Sequence, residues 1–362
     1  MRMLHRLCTL FVVAVVLTAS GCRPASKGES GAEITNPRDF SYPLTAGKYT
    51  VVNVFTDDKD HPKAKANAQD ALTANPDIKV MVGLWAYNPP MIYEALKSSG
   101  KVDEVKIVGF DEDDATLDAI KDGHIVATVV QQPFAFGYKS VELLAAMSRG
   151  ADVKFPGDKL YTPTKVIRAN NVDEFRAEIE NIRAGKGTRP PLHFEKQDTS
   201  KPVRLAFLTN SPDDFWKLAE YGCKLAAKDF HVTCKFDMPT GLSAGQKQYI
   251  EDYITEKYDG LAMSVIDPKG QTEIINRACE KMNVITQDAD APNSNRKFYV
   301  GTSNYMAGRQ AGKLVKEACP EGGKVAIFVG VLDVLNAQER ALGVIHELMD
   351  KDIPAEFAEQ SQ

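Results

Sequence analysis

Apolar and polar positions alternate along this chain in two trains of strand-like and helix-like segments. From Lys48 the first train predicts strands at Tyr49 to Phe55, Val80 to Leu84, Val105 to Phe110 and Ile125 to Val130. Between and after them lie helices at Pro62 to Thr73, Pro90 to Ser98, Ala115 to Lys121 and Gly137 to Ser148, and a last polar helix at Asn171 to Arg183. A second train starts at Val203. It predicts strands at 203–209, 232–237, Gly260 to Ser264, Val284 to Thr286, Phe298 to Gly301 and Val325 to Val329. Its helices fall at Phe215 to Asp229, Gly245 to Lys257, Lys269 to Met282, Met306 to Ala318 and Ala337 to Met349. Short β-branched runs alternating with amphipathic helices imply parallel βαβ units with helices on both sheet faces. The expected class is therefore α/β, with two doubly wound parallel-sheet lobes. Ala355 to Gln360 reads as a weak competitor for the strand near Val51.

Between the trains, Ala184 to Pro202 carries Gly185, Gly187, Pro190 and Pro191 and reads as a linker. The N-terminus has a different pattern. Arg2, His5 and Arg6 precede an apolar run, Leu7 to Leu17, too short for an ordinary membrane span. Ala19-Ser20-Gly21-Cys22 follows, a lipobox-like sequence that would place a lipid on Cys22 after cleavage, and Glu29 to Asp39 reads as a tether. The expected division is 1–22 signal, 23–46 tether, 47–132 part of the second lobe and 133–155 a helix returning to the first lobe. Then come 156–183 as hinge and second-lobe tail, 184–202 as linker, 203–298 as the first lobe and 299–362 as the rest of the second.

Composition narrows the function. The 362 residues carry a net charge of -5, which offers no basic footprint for nucleic acid. Beyond the signal, Cys223, Cys234, Cys279 and Cys319 remain; export permits disulfides, but spacing leaves their pairing open. No C-x-x-C, dinucleotide fingerprint or Walker spacing occurs, so no cofactor and no metal is expected.

The opening of the second train is the most informative stretch. Val203 to Asn210 forms a strand, Ser211-Pro212-Asp213-Asp214 a polar turn capping the next helix, and Phe215-Trp216 an aromatic pair on that helix. This resembles the opening strand and helix of the sugar-binding periplasmic binding proteins of ABC importers. Residues 201–353 resemble the first part of such a protein, including the strand Gly323-Lys324-Val325-Ala326-Ile327-Phe328-Val329-Gly330, and residues 47–180 resemble the remainder. The order is reversed, so the chain looks circularly permuted; two fused partial genes are the plainer alternative. The resemblance implies a bilobed binder without catalysis of its own. It would be a monomer at the periplasm or cell surface, held to the membrane by its lipid and delivering a monosaccharide or polyol to an ABC permease. A receptor for a membrane signalling partner would have the same sequence features.

Ligands of open α/β sheets bind beyond the carboxyl ends of strands. Asn210, Ser264, Asp288, Thr302, Trp85, Asp111 and Gln131 all lie just after strands, and Arg340 opens a helix. Carboxylates, amides and a guanidinium suit hydroxyls that donate and accept, while aromatic rings suit sugar C–H faces. With Phe215 and Trp216 these make the candidate ligand set. The plainer use of Phe215 is as a core residue, as for most helix-borne aromatics, with Trp216 beside it pointing elsewhere. Each acid has a plainer use: Asp111 to Asp114 can cap the helix from Ala115, and Asp267 can cap or turn before Pro268. Asp57 to His61 reads as a solvated loop at the cleft rim. The rival signal is Gly241-Leu242-Ser243-Ala244-Gly245, which matches a serine-hydrolase G-x-S-x-G. Met238-Pro239-Thr240 separate it from the strand end, and only His346 follows as a base, so Ser243 reads better as an N-cap.

Overall fold

The computed structural model describes residues 36–191, 194, 198–240 and 242–358. The signal, Cys22 and most of the tether lie outside them.

Two sheets organise the chain. The seven-stranded sheet has the order β1-β2-β13-β3-β4-β5-β7. It is built from β1 (Leu44–Ala46), β2 (Tyr49–Thr56), β3 (Ile78–Gly83), β4 (Lys106–Phe110), β5 (Ala127–Val130), β7 (Lys165–Ile167) and β13 (Gly323–Val329). The six-stranded sheet has the order β6-β12-β11-β10-β8-β9. Its strands are β6 (Lys159–Tyr161), β8 (Arg204–Leu208), β9 (Thr233–Asp237), β10 (Gly260–Met263), β11 (Asn283–Gln287) and β12 (Tyr299–Gly301). All pairings are parallel except β1 with β2 and β5 with β7.

Each sheet is buried on both faces, and side-chain alternation sorts residues between them. On β13, Val325, Ile327 and Val329 enter one cluster, while Ala326 and Phe328 enter the other. On β8, Leu205 and Phe207 face one side, Ala206 and Leu208 the opposite one. The helices covering these faces are α1 (His61–Ala74), α2 (Asn88–Ser98), α3 (Asp114–Lys121), α4 (Pro133–Ser148) and α5 (Val172–Arg183). After the linker come α6 (Phe215–Asp229), α7 (Leu242–Thr255), α8 (Thr272–Cys279), α9 (Asn304–Ala318), α10 (Leu335–Leu348) and the short α11 (Ala355–Ala358).

The last strand of the chain is an inner one. β13 pairs in parallel with β2 on one side and β3 on the other, so the C-terminal train completes the sheet that the N-terminal train begins. Three crossovers join the lobes: Gln131-Gln132 between β5 and α4, Thr162 to Thr164 between β6 and β7, and Thr302-Ser303 between β12 and α9. Gln132 Nε2 donates to the Pro163 carbonyl at 2.7 Å, tying two of them together.

Several boundaries differ from the sequence reading. β12 belongs to the six-stranded sheet, so that lobe runs three residues past 298 to Gly301. β6, placed with the second lobe by position, adds to the six-stranded edge beside β12, and only β7 returns to the seven-stranded sheet. α4 starts at Pro133, four residues early, because proline fits the first helical turn, where no intrahelical N–H donor is needed. Ala355 to Ala358 is a helical turn packing Phe357 on Tyr305, not a strand.

Candidate functional site

A cavity of about 240 Å³ opens between the two lobes at the carboxyl ends of both sheets. Eight of the ten sequence candidates line it: Asn210, Phe215, Trp216, Asp288, Arg340, Trp85, Asp111 and Gln131.

At its centre stands Arg340, 1% exposed, on the second turn of α10. Its helix can approach α9 this closely because Gly308 and Gly343 carry no side chain. A Cβ on Gly308 would lie 2.1 Å from the Arg340 carbonyl, and one on Gly343 2.2 Å from that of Tyr305. The guanidinium Nε donates to Asn304 Oδ1 at 3.0 Å and Nη1 to the Leu84 carbonyl at 3.0 Å, with the Phe110 ring 4.7 Å beneath. Asp111 Oδ2 lies 3.7 Å from Nη1 and Asp288 Oδ1 3.6 Å from Nη2, one carboxylate from each lobe.

Both acids directly follow a strand with left-handed backbone, φ 63° at Asp111 and 59° at Asp288, a conformation aspartate tolerates better than most residues. Asp113, not Asp111, caps α3, accepting from the amides of Ala115 and Thr116 at 2.9 and 3.3 Å. That leaves Asp111 to the cavity, where Gln131 Nε2 donates to its Oδ1 at 2.9 Å. Burial pushes the Asp111 acid up to about 6, against the opposing pull of Arg340 and the Gln131 bond. Burial likewise raises Asp288, opposed by Arg340 and by hydrogen bonds from Ser264 and Asn336.

Two candidates stand behind the wall. Ser264 is fully buried and donates from Oγ to Asp288 Oδ2 at 3.0 Å, holding the carboxylate rather than lining the cavity. Thr302 lines a separate space of about 50 Å³ at the third crossover. The aromatic pair is also reversed. Trp216, 2% exposed, is the core residue: it packs edge-on against Phe207 and donates from Nε1 to Asn210 Oδ1 at 3.2 Å. Phe215 is the less buried of the two and meets Trp216 edge-on at 4.9 Å.

Sequence reasoning missed part of the seven-stranded wall. Lys59, His61, Tyr87 and Asn336 line the same cavity. Their organiser is Asp57, which is buried, not solvated: its carboxylate accepts from the Tyr87 hydroxyl, from Asn88 Nδ2 at 2.9 Å and from the Lys59 amide at 3.0 Å. The loop so held places Lys59 Nζ 3.1 Å from the Asn210 carbonyl of the other lobe, and burial lowers the ammonium's pKa. The Asp-rich composition of this loop signalled charge, but only a buried partner for Asp57 could have signalled the site.

The hydrolase constellation is not assembled. α7 begins at Leu242, which puts Ser243 inside its first turn rather than at an N-cap or a strand-end elbow, and Gly241 lies outside the described residues. His346 is buried against Tyr305, its Nδ1 3.1 Å from that hydroxyl. Asp267 serves its turn, its Oδ1 accepting from the Gly270 amide at 2.8 Å. Among the described residues no cluster of His, Cys, Asp and Glu suits a metal, and Cys223, Cys234, Cys279 and Cys319 are free thiols.

What the cavity offers a ligand is a mixture of unspent donors and acceptors between aromatic walls. Arg340 Nη2 and Trp85 Nε1 are buried donors, and Asn336 Oδ1 a buried acceptor, with no hydrogen-bond partner among the described residues. With Gln131 Oε1 these make two donors and two acceptors around one cavity; buried polar atoms are ordinarily paired, so the site suits a ligand that both donates and accepts.

The chain is similar to known proteins. A family model described as a periplasmic binding protein domain matches residues 34–152 and 205–359. Over 124 residues the chain is 35% identical to the ribose import binding protein RbsB of Salmonella typhimurium, covering 33% of this chain and 40% of that protein. To RbsB of Bacillus subtilis it is 32% identical over 132 residues, covering 35% of this chain and 42% of the relative. The chain thus spans about two fifths of the length of these curated relatives. Among solved structures, an ABC transporter solute-binding protein of Burkholderia graminis in complex with D-arabinose is 31% identical. That match covers 43% of this chain and 54% of the other, with a TM-score of 0.41.

Proposed function

The chain belongs to the periplasmic binding protein family, and from that premise we propose that it captures a monosaccharide or related polyol between its lobes for an ABC importer. The fold is the two-lobed α/β fold of that family's type I members. The observation that carries the sugar reading is the set of orphaned donors and acceptors around Arg340, flanked by Asp111 and Asp288 and walled by Trp85 and Phe215. A sugar hydroxyl donates to a carboxylate and accepts from a guanidinium at once, and its C–H face lies on an aromatic ring. Binding that is tighter in the closed form pulls the lobes together about the three crossovers, and the closed surface is what a permease would recognise. The protein performs no turnover of its own.

The halves stand in permuted order relative to the family. The inner position of the C-terminal strand β13 supports this, as does the short span over which the collinear relatives align. Ala19-Ser20-Gly21-Cys22 supports export and a lipid on Cys22, with the soluble part working as a monomer outside the cytoplasm.

Thermal unfolding of the chain from Ser26 onward, against D-ribose, D-arabinose, D-galactose and D-glucose, tests the proposal. A sugar at a hundred times its dissociation constant should add about 2.7 kcal/mol to the native state. A single transition moved by none of these sugars or by related polyols would overturn the sugar reading. Phe215→Ala should weaken binding about tenfold, ~1.4 kcal/mol, with melting little changed. Trp216→Ala should instead cost about 3–5 kcal/mol of stability, because its indole is core.

A further inference from the structure

We propose that a second cavity, at the hinge, binds a small primary ammonium compound with an apolar body. This cavity encloses about 400 Å³. It is lined by two of the three crossovers, at Gln131 to Pro133 and Thr162-Pro163, and on another side by Thr188 to Pro191 of the segment after α5. Because it lies where the lobes are joined, its shape must change if they rotate.

Its unpaired polar atoms can all accept. Both carboxylate oxygens of Glu112, Oε1 of Gln131 and Oγ1 of Thr162 are buried with no hydrogen-bond partner among the described residues. Each can accept a hydrogen bond, and a buried acceptor left unpaired carries its full desolvation penalty. The cations on the same wall are already engaged: Lys165 Nζ with Glu178 at 2.6 Å, Arg189 with Asp229 at 2.6 Å, and Lys139 Nζ with the Pro191 carbonyl at 3.4 Å. An anion would leave these acceptors unpaired, and so would a hydrocarbon. A primary ammonium has three donors and no acceptor, which matches one carboxylate, one amide oxygen and one hydroxyl. Phe134, Ile179, Ile182 and Leu218 give the hydrocarbon body its walls. Burial, and next the neighbouring Asp111 carboxylate, hold the Glu112 acid well above the usual carboxylate range, and a bound ammonium would favour its ionised form.

Gln131 lines both cavities and donates from Nε2 to Asp111 Oδ1 at 2.9 Å. An ammonium on Oε1 would fix that amide, and so hold Asp111 ready for the ligand of the first cavity; this coupling rests on the sugar reading.

The test uses the chain from Ser26 onward, without sugar, titrated with pentylamine, pentanol and pentanoate by calorimetry and thermal melting. Pentylamine is expected to bind and raise the melting temperature, and the alcohol and acid at equal concentration are not. Glu112→Gln should lower pentylamine affinity at least tenfold, and Thr162→Val severalfold, in proteins that still unfold cooperatively. Equal responses to the three probes, or undiminished amine binding by both variants, would overturn the proposal. As no sugar is present, absence of amine binding leaves the sugar reading untouched. A severalfold rise in sugar affinity with saturating pentylamine then tests the coupling.

Discussion

Asp111 and Asp288 occupy matching places in the two lobes, and their surroundings differ. Each follows a strand in left-handed backbone, each is buried, and each lies within 4 Å of the same guanidinium. Asp288 is nearly complete without a ligand: Ser264 donates to it at 3.0 Å and Asn336 Nδ2 at 3.2 and 3.3 Å. Among the described residues Asp111 has the single side-chain donor Gln131, and its Oδ2 has only the distant Arg340. The wall around Asp288 is thus finished, one of its donors reaching from the seven-stranded lobe, and the wall around Asp111 is unfinished. A ligand hydroxyl gains most where a buried carboxylate is short of donors, so the seven-stranded lobe should contribute the larger share of the closure energy.

The sharpest way to break this comparison is to remove what the two acids share. Arg340→Met should cost about 3–5 kcal/mol, because two buried carboxylates lose their counter-charge, and sugar should no longer raise the melting temperature. A variant that melts like the parent would mean Arg340 does not balance them.

A pH series separates the two acids. The folded Asp111 acid lies at about 6, above an unfolded value of about 4. The folded state therefore holds this proton more tightly. Its contribution is fully present below about pH 4 and is lost as pH rises through 6, ~3 kcal/mol in all. Denaturant unfolding of Asp111→Asn should lack most of that fall between pH 4 and 6. Parallel curves for parent and variant would contradict the unfinished-wall picture.

The smallest effect should come from Ser264→Ala. One donor to a charged acceptor is worth about 1.5–3 kcal/mol at most, and Asn336 remains in place. Sugar affinity, read by calorimetry, should fall only severalfold. A loss as large as that of Asp111→Asn would erase the distinction between the lobes.

Much of this architecture was legible in the chain. Strand-end positions for Asn210, Trp85, Asp111, Gln131 and Asp288 follow from the βαβ alternation, and all five line the cavity. Ser264 and Thr302 satisfy the same positional rule yet fall behind the wall, because adjacent residues at a strand end point to different sides. The reversal of Phe215 and Trp216 has a similar origin. Helical phase says that one faces the core, while the depth of the site beside Phe207 decides which. The Asp57 loop failed for another reason. Five consecutive polar residues read as solvated until Tyr87 and Asn88, some thirty positions away, bury one of them.

The sequence by itself determined the periodic elements and the kinds of side chain gathered at strand ends, since these depend on local pattern and near neighbours. Tertiary structure alone decided that β13 enters between β2 and β3, that Arg340 stands between carboxylates from opposite lobes, and that Lys59 reaches across the cleft. Those facts join residues up to 274 positions apart, as Lys324 on β13 and Thr50 on β2 are. No local propensity encodes such a distance; burial of two sheets and pairing of buried charges do.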